Sequence, residues 1–292
     1  MAEGISVVVV THNAAGHVER CLESVRGFET VVVDNGSTDG TPALVRERFP
    51  EVRLIEQENR GMGGGNNAGM RVAGGRYWLL LNSDAWVKGG LDDLVAFADA
   101  HPRAAVVGPR LENPDGSLQR SVRGEPTLWR LATEYLFLRK LAPRTEALNA
   151  FYGGGFDHAS PREVESLYGA ALLVRREAAD EVGLFDESFF MFSEETDWLH
   201  RFRAAGWQVW FTPDAEVVHL GGASHGGRLY AENLRGILRF LAKHRGRREA
   251  ARARRLLLWS LRLRSLIFRG ERGATYREGA RFLAGLDVST LT

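Results

Sequence analysis

The sequence predicts an α/β protein with a mainly parallel central sheet flanked by helices, followed by a helical C-terminal extension. Three observations carry that reading. Short β-branched or apolar runs recur through the first third of the chain, each followed by a helix-compatible stretch. The runs are apolar throughout instead of alternating, as strands covered on both faces must be. From Arg228 onward the pattern is helical.

In order, Ile5–Val10, Thr30–Val33, Val52–Ile55, Tyr77–Leu81 and Ala104–Val107 read as strands, with helices over 15–26, 41–48, 66–73 and 90–100. Asn113-Pro114-Asp115-Gly116 is a turn between two short extended pieces within 109–121. Residues 127–141 are helix-compatible, 151–161 form a glycine-rich loop, and Leu167–Arg175 is a further strand. Ser193 N-caps a helix that stops at Gly206. Trp207–Thr212 and Glu216–Leu220 are strands, and the C-terminal helices break near 245–246 and 270–273.

With 292 residues, 44% apolar and 26% charged, the chain has the composition of a folded protein and not of a disordered or collagen-like one. One cysteine, Cys21, excludes an internal disulfide framework, and no Cys/His spacing describes a zinc module. No leader pattern opens the sequence and no apolar run reaches the ~18 residues of a transmembrane helix. A cytoplasmic protein, peripheral at most at the inner face of the membrane, is expected. The net charge of +1 conceals an asymmetry: residues 239–281 hold fourteen basic residues against three acids. An arginine-rich helix with Leu256, Trp259, Leu263, Leu266 and Ile267 on one face and Arg248, Arg255, Arg262 and Arg269 on another fits an anionic membrane surface through 246–281. Docking on the body, or on a second copy in a homo-oligomer, reads equally well. No nucleic-acid partner is expected.

Ligands on parallel sheets bind beyond the carboxyl ends of the strands. The residues there are Thr11-His12-Asn13, Asp34-Asn35-Gly36-Ser37, Glu58-Asn59-Arg60-Gly61 and Asn82-Ser83-Asp84, all polar or small. A dinucleotide fingerprint is absent after the first strand, and no lysine follows a glycine as a phosphate-binding loop requires. The run Gly61 to Asn67 reads as backbone lying close to a ligand, although a flexible turn has the same composition. Asp34 can accept from a base or ribose, and Asp84 can hold a hard divalent cation. On the helix after Ser193, Glu195 shares the apolar face with Trp198, Leu199 and Phe202, whereas Glu194 aligns with Asp197 and Arg201. An acid turned toward the core side is costly unless it borders a wet cleft, so Glu195 is the candidate general base and Glu194 its support. His219 can complete a metal site with Asp84.

Val7 to Asn13, Val33 to Gly40, Asn59 to Gly69, Leu79 to Asp84 and Gly183 to Trp198 resemble, in order, the motifs of the family 2 inverting glycosyltransferases over residues 4 to 245. The resemblance implies a GT-A fold, a nucleotide-diphosphate sugar donor and a divalent Mg2+ or Mn2+ ion. It implies a glycosyltransferase domain over 1–245, with a nucleotide-binding half (1–108) and an acceptor-binding half (109–245), ahead of the basic extension 246–292. Carried over by position, Thr11, Asn13, Asp34 and Asn35 bind the nucleoside, and Gly63, Gly64, Asn66, Asn67, Asn82 and Ser83 lie along the donor. Asp84 and His219 hold the metal, Glu195 and Glu194 serve catalysis, and Gly169, Asp197 and Trp198 face the acceptor. The family's Asp-x-Asp stands here as Asn82-Ser83-Asp84, and its Glu-Asp pair as Glu194-Glu195. Among members the pattern is most similar to the dTDP-rhamnosyltransferases, which implies a saccharide or polyprenyl-diphosphate-linked acceptor and a place in cell-surface polysaccharide synthesis. A UDP-sugar donor, or a nucleotide-sugar-binding protein without transfer activity, is the alternative.

Overall fold

The computed structural model describes residues 4–221 and 227–291. The chain begins β1 (Ile5–Thr11), α1 (Val18–Ser24), β2 (Glu29–Asp34), α2 (Thr41–Arg48), β3 (Arg53–Glu56), α3 (Gly61–Met70), β4 (Tyr77–Asn82), β5 (Ala85–Gly89), α4 (Leu91–Ala100) and β6 (Ala104–Glu112). A less regular middle follows, with β7 (Leu118–Gln119), β8 (Val122–Arg123), α5 (Leu128–Tyr135), α6 (Glu146–Asn149), β9 (Arg162–Glu163), β10 (Ser166–Leu167), β11 (Ala171–Arg175) and α7 (Arg176–Val182). Then come α8 (Glu194–Ala204), β12 (Gln208–His219), α9 (Gly227–Arg245), α10 (Arg247–Ile267) and α11 (Gly270–Gly285).

The main sheet has the order β3-β2-β1-β4-β11-β6-β12-β5, with β7 beside β6 and β9 beside β12. Strands β3, β2, β1 and β4 are mutually parallel, as are β6 and β12; β11 enters antiparallel between β4 and β6. Alternate residues of β1 feed opposite layers: Val7 and Val9 join the core beneath α1 and α4, and Val8 joins the core shared with α7 and α8. Burial of each valine side chain contributes about 1.5–3 kcal/mol, which is why both faces of this strand are apolar. A third core unites α5, α9, α10 and α11 around Leu131, Leu234, Leu257, Leu261 and Leu283. Helix α9 therefore shares its apolar core with the two helices beyond residue 245.

Several expected elements differ. The strand over 167–175 is split into β10 and β11, so that Tyr168 and Gly169 lie in the connection. The two strands over 207–220 are one, β12, with an irregular register against β6 between Phe211 and Glu216. The edge strand β5 was not foreseen; it pairs antiparallel with the end of β12. The glycine run is the first half of α3 and not a loop before it.

Candidate active site

Parallel register sets one wall of the site. Thr11 pairs with Asp34 and Val10 with Asn82, so β1, β2 and β4 end at the same sheet edge. Thr11 Oγ1 donates to Asp34 Oδ2 at 2.8 Å, and the Ser37 amide and hydroxyl donate to Oδ1 and Oδ2 at 2.8 and 2.6 Å. Asp34 is only 1% exposed and pins the loop after β2. Asn13, exposed and with φ of 54°, accepts from the Thr38 amide at 2.8 Å and bridges the loops after β1 and β2. Asn35 donates to the Gly61 carbonyl at 2.9 Å and accepts from Gln57, anchoring the start of α3.

The glycines of α3 serve packing. A Cβ on Gly65 would lie 2.7 Å from Val10 Cγ1, and one on Gly69 would lie 2.4 Å from Val8 Cγ1. The missing side chains let the helix rest directly on β1. Gly63 and Gly64, expected along the donor, are buried; Gly63 faces Phe185 and Glu194, and Gly64 faces Arg60 and Glu187. Asn67, also expected along the donor, is engaged by the protein itself. It is 1% exposed, donates to the Phe185 carbonyl (3.0 Å) and Glu187 (2.9 Å), and accepts from the Phe185 amide, a latch to the 185–190 segment. Asn66 donates to the Met62 carbonyl at 3.1 Å, and its carboxamide oxygen has no protein donor among the described residues.

At the end of β4, Asn82 and Ser83 lead into Asp84, whose Oδ1 lies 3.2 Å from His219 Nε2 at the end of β12. Burial works against ionisation of Asp84, but the hydrogen bond and charge of His219 outweigh it and hold the carboxyl below its usual range. Gln119 Nε2 donates to Asn113 Oδ1 and the His219 carbonyl, so its Oε1 accepts from His219 Nδ1 at 2.8 Å. With Nδ1 engaged by Gln119, Nε2 is the ring nitrogen that meets Asp84 Oδ1, and with a cation between the two it would present its lone pair instead of a proton. The donor set, one carboxylate and one oriented imidazole, fits a divalent ion that takes its remaining ligands from phosphate and water. No cluster of three or more His, Cys, Asp or Glu residues suited to a metal occurs among the described residues.

The acids of α8 form the opposite wall. Phe192 and Ser193 both have positive φ, 67° and 68°, so the helix starts from a strained turn. Gly236 of α9 holds that turn, since a Cβ there would lie 2.5 Å from the Phe192 carbonyl. Ser193 occupies the N-cap but makes no side-chain cap. Glu195 faces Gly169, with 3.6 Å between its Cγ and the site of a Gly169 Cβ. Glu194 Oε2 and Glu195 Oε2 are buried without a hydrogen-bond partner among the described residues. Burial, then the charge of Glu195, push Glu194 well above the usual range. Burial also raises Glu195, against backbone N–H groups at the helix start and the charge of Arg123.

The expected division of α8 into an apolar and a polar face fails, because α9 and the 183–189 segment cover the polar side. Glu194 is buried at 8% exposure and Asp197 at 0%. Asp197 bonds Arg201 Nε (2.9 Å), Lys243 Nζ (2.8 Å) and His244 Nε2 (2.7 Å). Trp198 is fully buried, donates to the Gly183 carbonyl at 2.7 Å and packs on Phe185 and Phe202. Neither has surface to offer an acceptor; they hold α8 in place. Sequence reasoning missed Gln119, Tyr168 and Arg123. Tyr168 stands between the two acidic groups: its ring is 5.5 Å from His219, and its phenol is raised by burial and then by the charge of Glu195, with Asp84 and Glu194 adding to it.

A GT-A sheet carrying an acidic pair opposite an Asp–His pair is the architecture of a nucleotide-sugar glycosyltransferase. Residues 6–183 match the model of the family described as Glycosyl transferase family 2, and the chain belongs to that family. Over 237 residues it is 36% identical to an N-acetylglucosaminyl-diphospho-decaprenol L-rhamnosyltransferase of Mycobacterium tuberculosis, covering 75% of this chain and 76% of the relative. Two solved structures share the fold. A mannosyltransferase from Pyrobaculum calidifontis, in complex with GDP-Man and Mn2+, superposes with a TM-score of 0.54 at 17% identity, over 96% of this chain and 84% of that one. GalNAc-T7 with UDP, GalNAc and Mn2+ superposes with a TM-score of 0.58 at 17% identity, over 81% and 48%.

Proposed function

We propose that the protein transfers L-rhamnose from dTDP-L-rhamnose, with inversion, to a sugar hydroxyl on a polyprenyl-diphosphate-linked acceptor in cell-surface polysaccharide synthesis. The supporting observation is the identity shared with the mycobacterial rhamnosyltransferase along three quarters of both chains. In this reading Glu195 takes the proton of the acceptor hydroxyl as its oxygen attacks the anomeric carbon, and its raised pKa brings the base nearer to neutral pH. Burial and the charge of Glu195 raise the neighbouring Glu194 as well, so a second negative charge beside the base is disfavoured. Thr11, Asn13, Asp34 and Asn35 hold the nucleoside, Asn66, Asn82 and Ser83 line the diphosphate, and Gly169 leaves room for the acceptor beside Glu195. Asp84 and His219 would hold Mg2+ or Mn2+, which when bound supplies Lewis-acid stabilisation of the leaving diphosphate.

The enzyme would work at the inner, anionic face of the cell membrane. No helix among the described residues is long and apolar enough to cross a membrane. On α10, however, the inward face is Ala250, Ala253, Leu257 and Leu261, while Trp259, Leu263, Leu266 and Ile267 are 69%, 49%, 82% and 58% exposed. Arg255, Arg262 and Arg269 are exposed beside them, the apolar-and-cationic surface that anionic lipid takes.

Binding of dTDP, UDP and GDP, measured by calorimetry and thermal shift with and without Mn2+, tests the donor. Metal-dependent preference for dTDP is expected. Preference for UDP discards the rhamnose donor, and absence of binding to all three overturns the proposed chemistry.

A further inference from the structure

Arg123 ends β8 and is paired in the ladder with Ser166 of β10. It is half-buried, and its guanidinium carbon lies 4.6 Å from the centroid of the Tyr152 ring and 5.5 Å from that of Tyr168. Among the described residues its side chain has no hydrogen-bond acceptor and no ion-pair partner. The neighbouring arginines all have them: Arg130 is paired with Glu165, Arg203 with Glu125 and Arg139 with Glu134. A guanidinium carries five N–H donors, and leaving them unmet in a half-buried place is costly unless an anion arrives to take them.

The position says which anion. Arg123 and His219 both approach the Tyr168 ring, each at 5.5 Å from its centroid. The leaving diphosphate belongs to the Asp84–His219 side, and Arg123 therefore addresses a second anion. Tyr168, whose ring Arg123 approaches, is followed directly by Gly169, which faces Glu195, so an anion on Arg123 lies toward the attacking hydroxyl. Beyond Tyr152 the surface mixes apolar and cationic groups, with Arg139 over the Tyr152 ring and Lys140 over Phe137. Phe137 and Phe268 join the ends of α5 and α10 with their centroids 6.0 Å apart, and Leu141 near this junction is 78% exposed. A molecule with a diphosphate next to its sugar and a lipid tail beyond matches this sequence of surfaces.

We propose that Arg123, framed by Tyr152 and Tyr168, binds the diphosphate of the lipid-linked acceptor and positions its sugar hydroxyl at Glu195. This rests on the acceptor class given above. Neutralising Arg123 with a phosphate also removes the positive charge that opposes proton uptake by Glu195, so acceptor binding strengthens the base.

The test compares two acceptors on the full chain: farnesyl-diphosphate-linked N-acetylglucosamine, and the uncharged octyl glycoside of the same sugar. Arg123→Gln is expected to raise KM for the diphosphate acceptor by about tenfold or more, the loss of a charged hydrogen-bonding partner. KM for the donor and for the octyl glycoside should stay within about twofold by the same reasoning. Arg123→Lys, which keeps the charge, should restore part of the loss, and unchanged nucleotide binding by both variants shows an intact fold. Equal losses on both acceptors, a rise confined to donor KM, or no change would overturn the proposal. A wild-type enzyme that uses the octyl glycoside but gains nothing from the diphosphate removes the acceptor reading and this site together. A UDP-sugar donor with the Arg123→Gln split intact removes only the donor assignment.

Discussion

Asp197→Asn tests how α9 holds α8. The Asp197 side chain is 0% exposed and meets two cations, Arg201 and Lys243, and the His244 imidazole, whose side chains are 21%, 32% and 11% exposed. Removing one partner of a buried ion pair costs about 3–5 kcal/mol; because these cations reach water, about 2–3 kcal/mol is the better expectation. For a chain of this length that lowers Tm by about 3–5 °C. The sign with pH follows from the carboxyl. Burial would raise its pKa, but hydrogen bonds from His244 and Lys243, then the charges of Lys243 and Arg201, hold it below the usual value. Its contribution is therefore present above the unfolded pKa of about 3.9 and is lost as pH falls through the lower folded value. Urea unfolding of both proteins from pH 7 down to pH 3 should show a constant gap that closes at the acid end. A gap below about 0.5 kcal/mol at pH 7 would refute the clamp.

Three further outcomes are expected. Because burial raises both Glu194 and Glu195, the acid limb of the kcat profile should lie above the ordinary carboxylate range; an acid limb within that range contradicts the buried base. Gly65→Ala should destabilise by about 1–3 kcal/mol despite the better helix propensity of alanine, since the new methyl meets Val10, whereas Gly16→Ala meets nothing and should be near neutral in the same denaturation assay. Leu266→Glu should abolish sedimentation with anionic vesicles while leaving turnover of a water-soluble acceptor unchanged; retained vesicle binding would move the membrane contact elsewhere.

Much of the first hundred or so residues is legible because the signals there are local. The valine runs of β1 and β2 and the 41–48 helix stand where the apolar pattern places them. The acids and the histidine also announce themselves by standing at the ends of apolar runs. What the pattern misses is set by distant partners. The five residues of β5 are a strand because the end of β12 lies beside them. Glycine propensity argues against a helix at Gly61, yet close packing on Val8 and Val10 makes one. Glu194 and Asp197 read as polar-face residues because nothing in α8 reveals that α9 will cover them. Gln119, Tyr168 and Arg123 lie on or beside two-residue strands, too short to carry any period. On α10 two apolar stripes exist, and only packing shows that the Trp259 stripe is the one left outside.

Turnover by Glu195→Gln at saturating donor and acceptor tests the central claim most directly. Loss of the general base predicts a fall in kcat of about 10²–10⁴-fold with nucleotide binding retained. Near-normal turnover by a folded, nucleotide-binding Glu195→Gln enzyme would contradict the account.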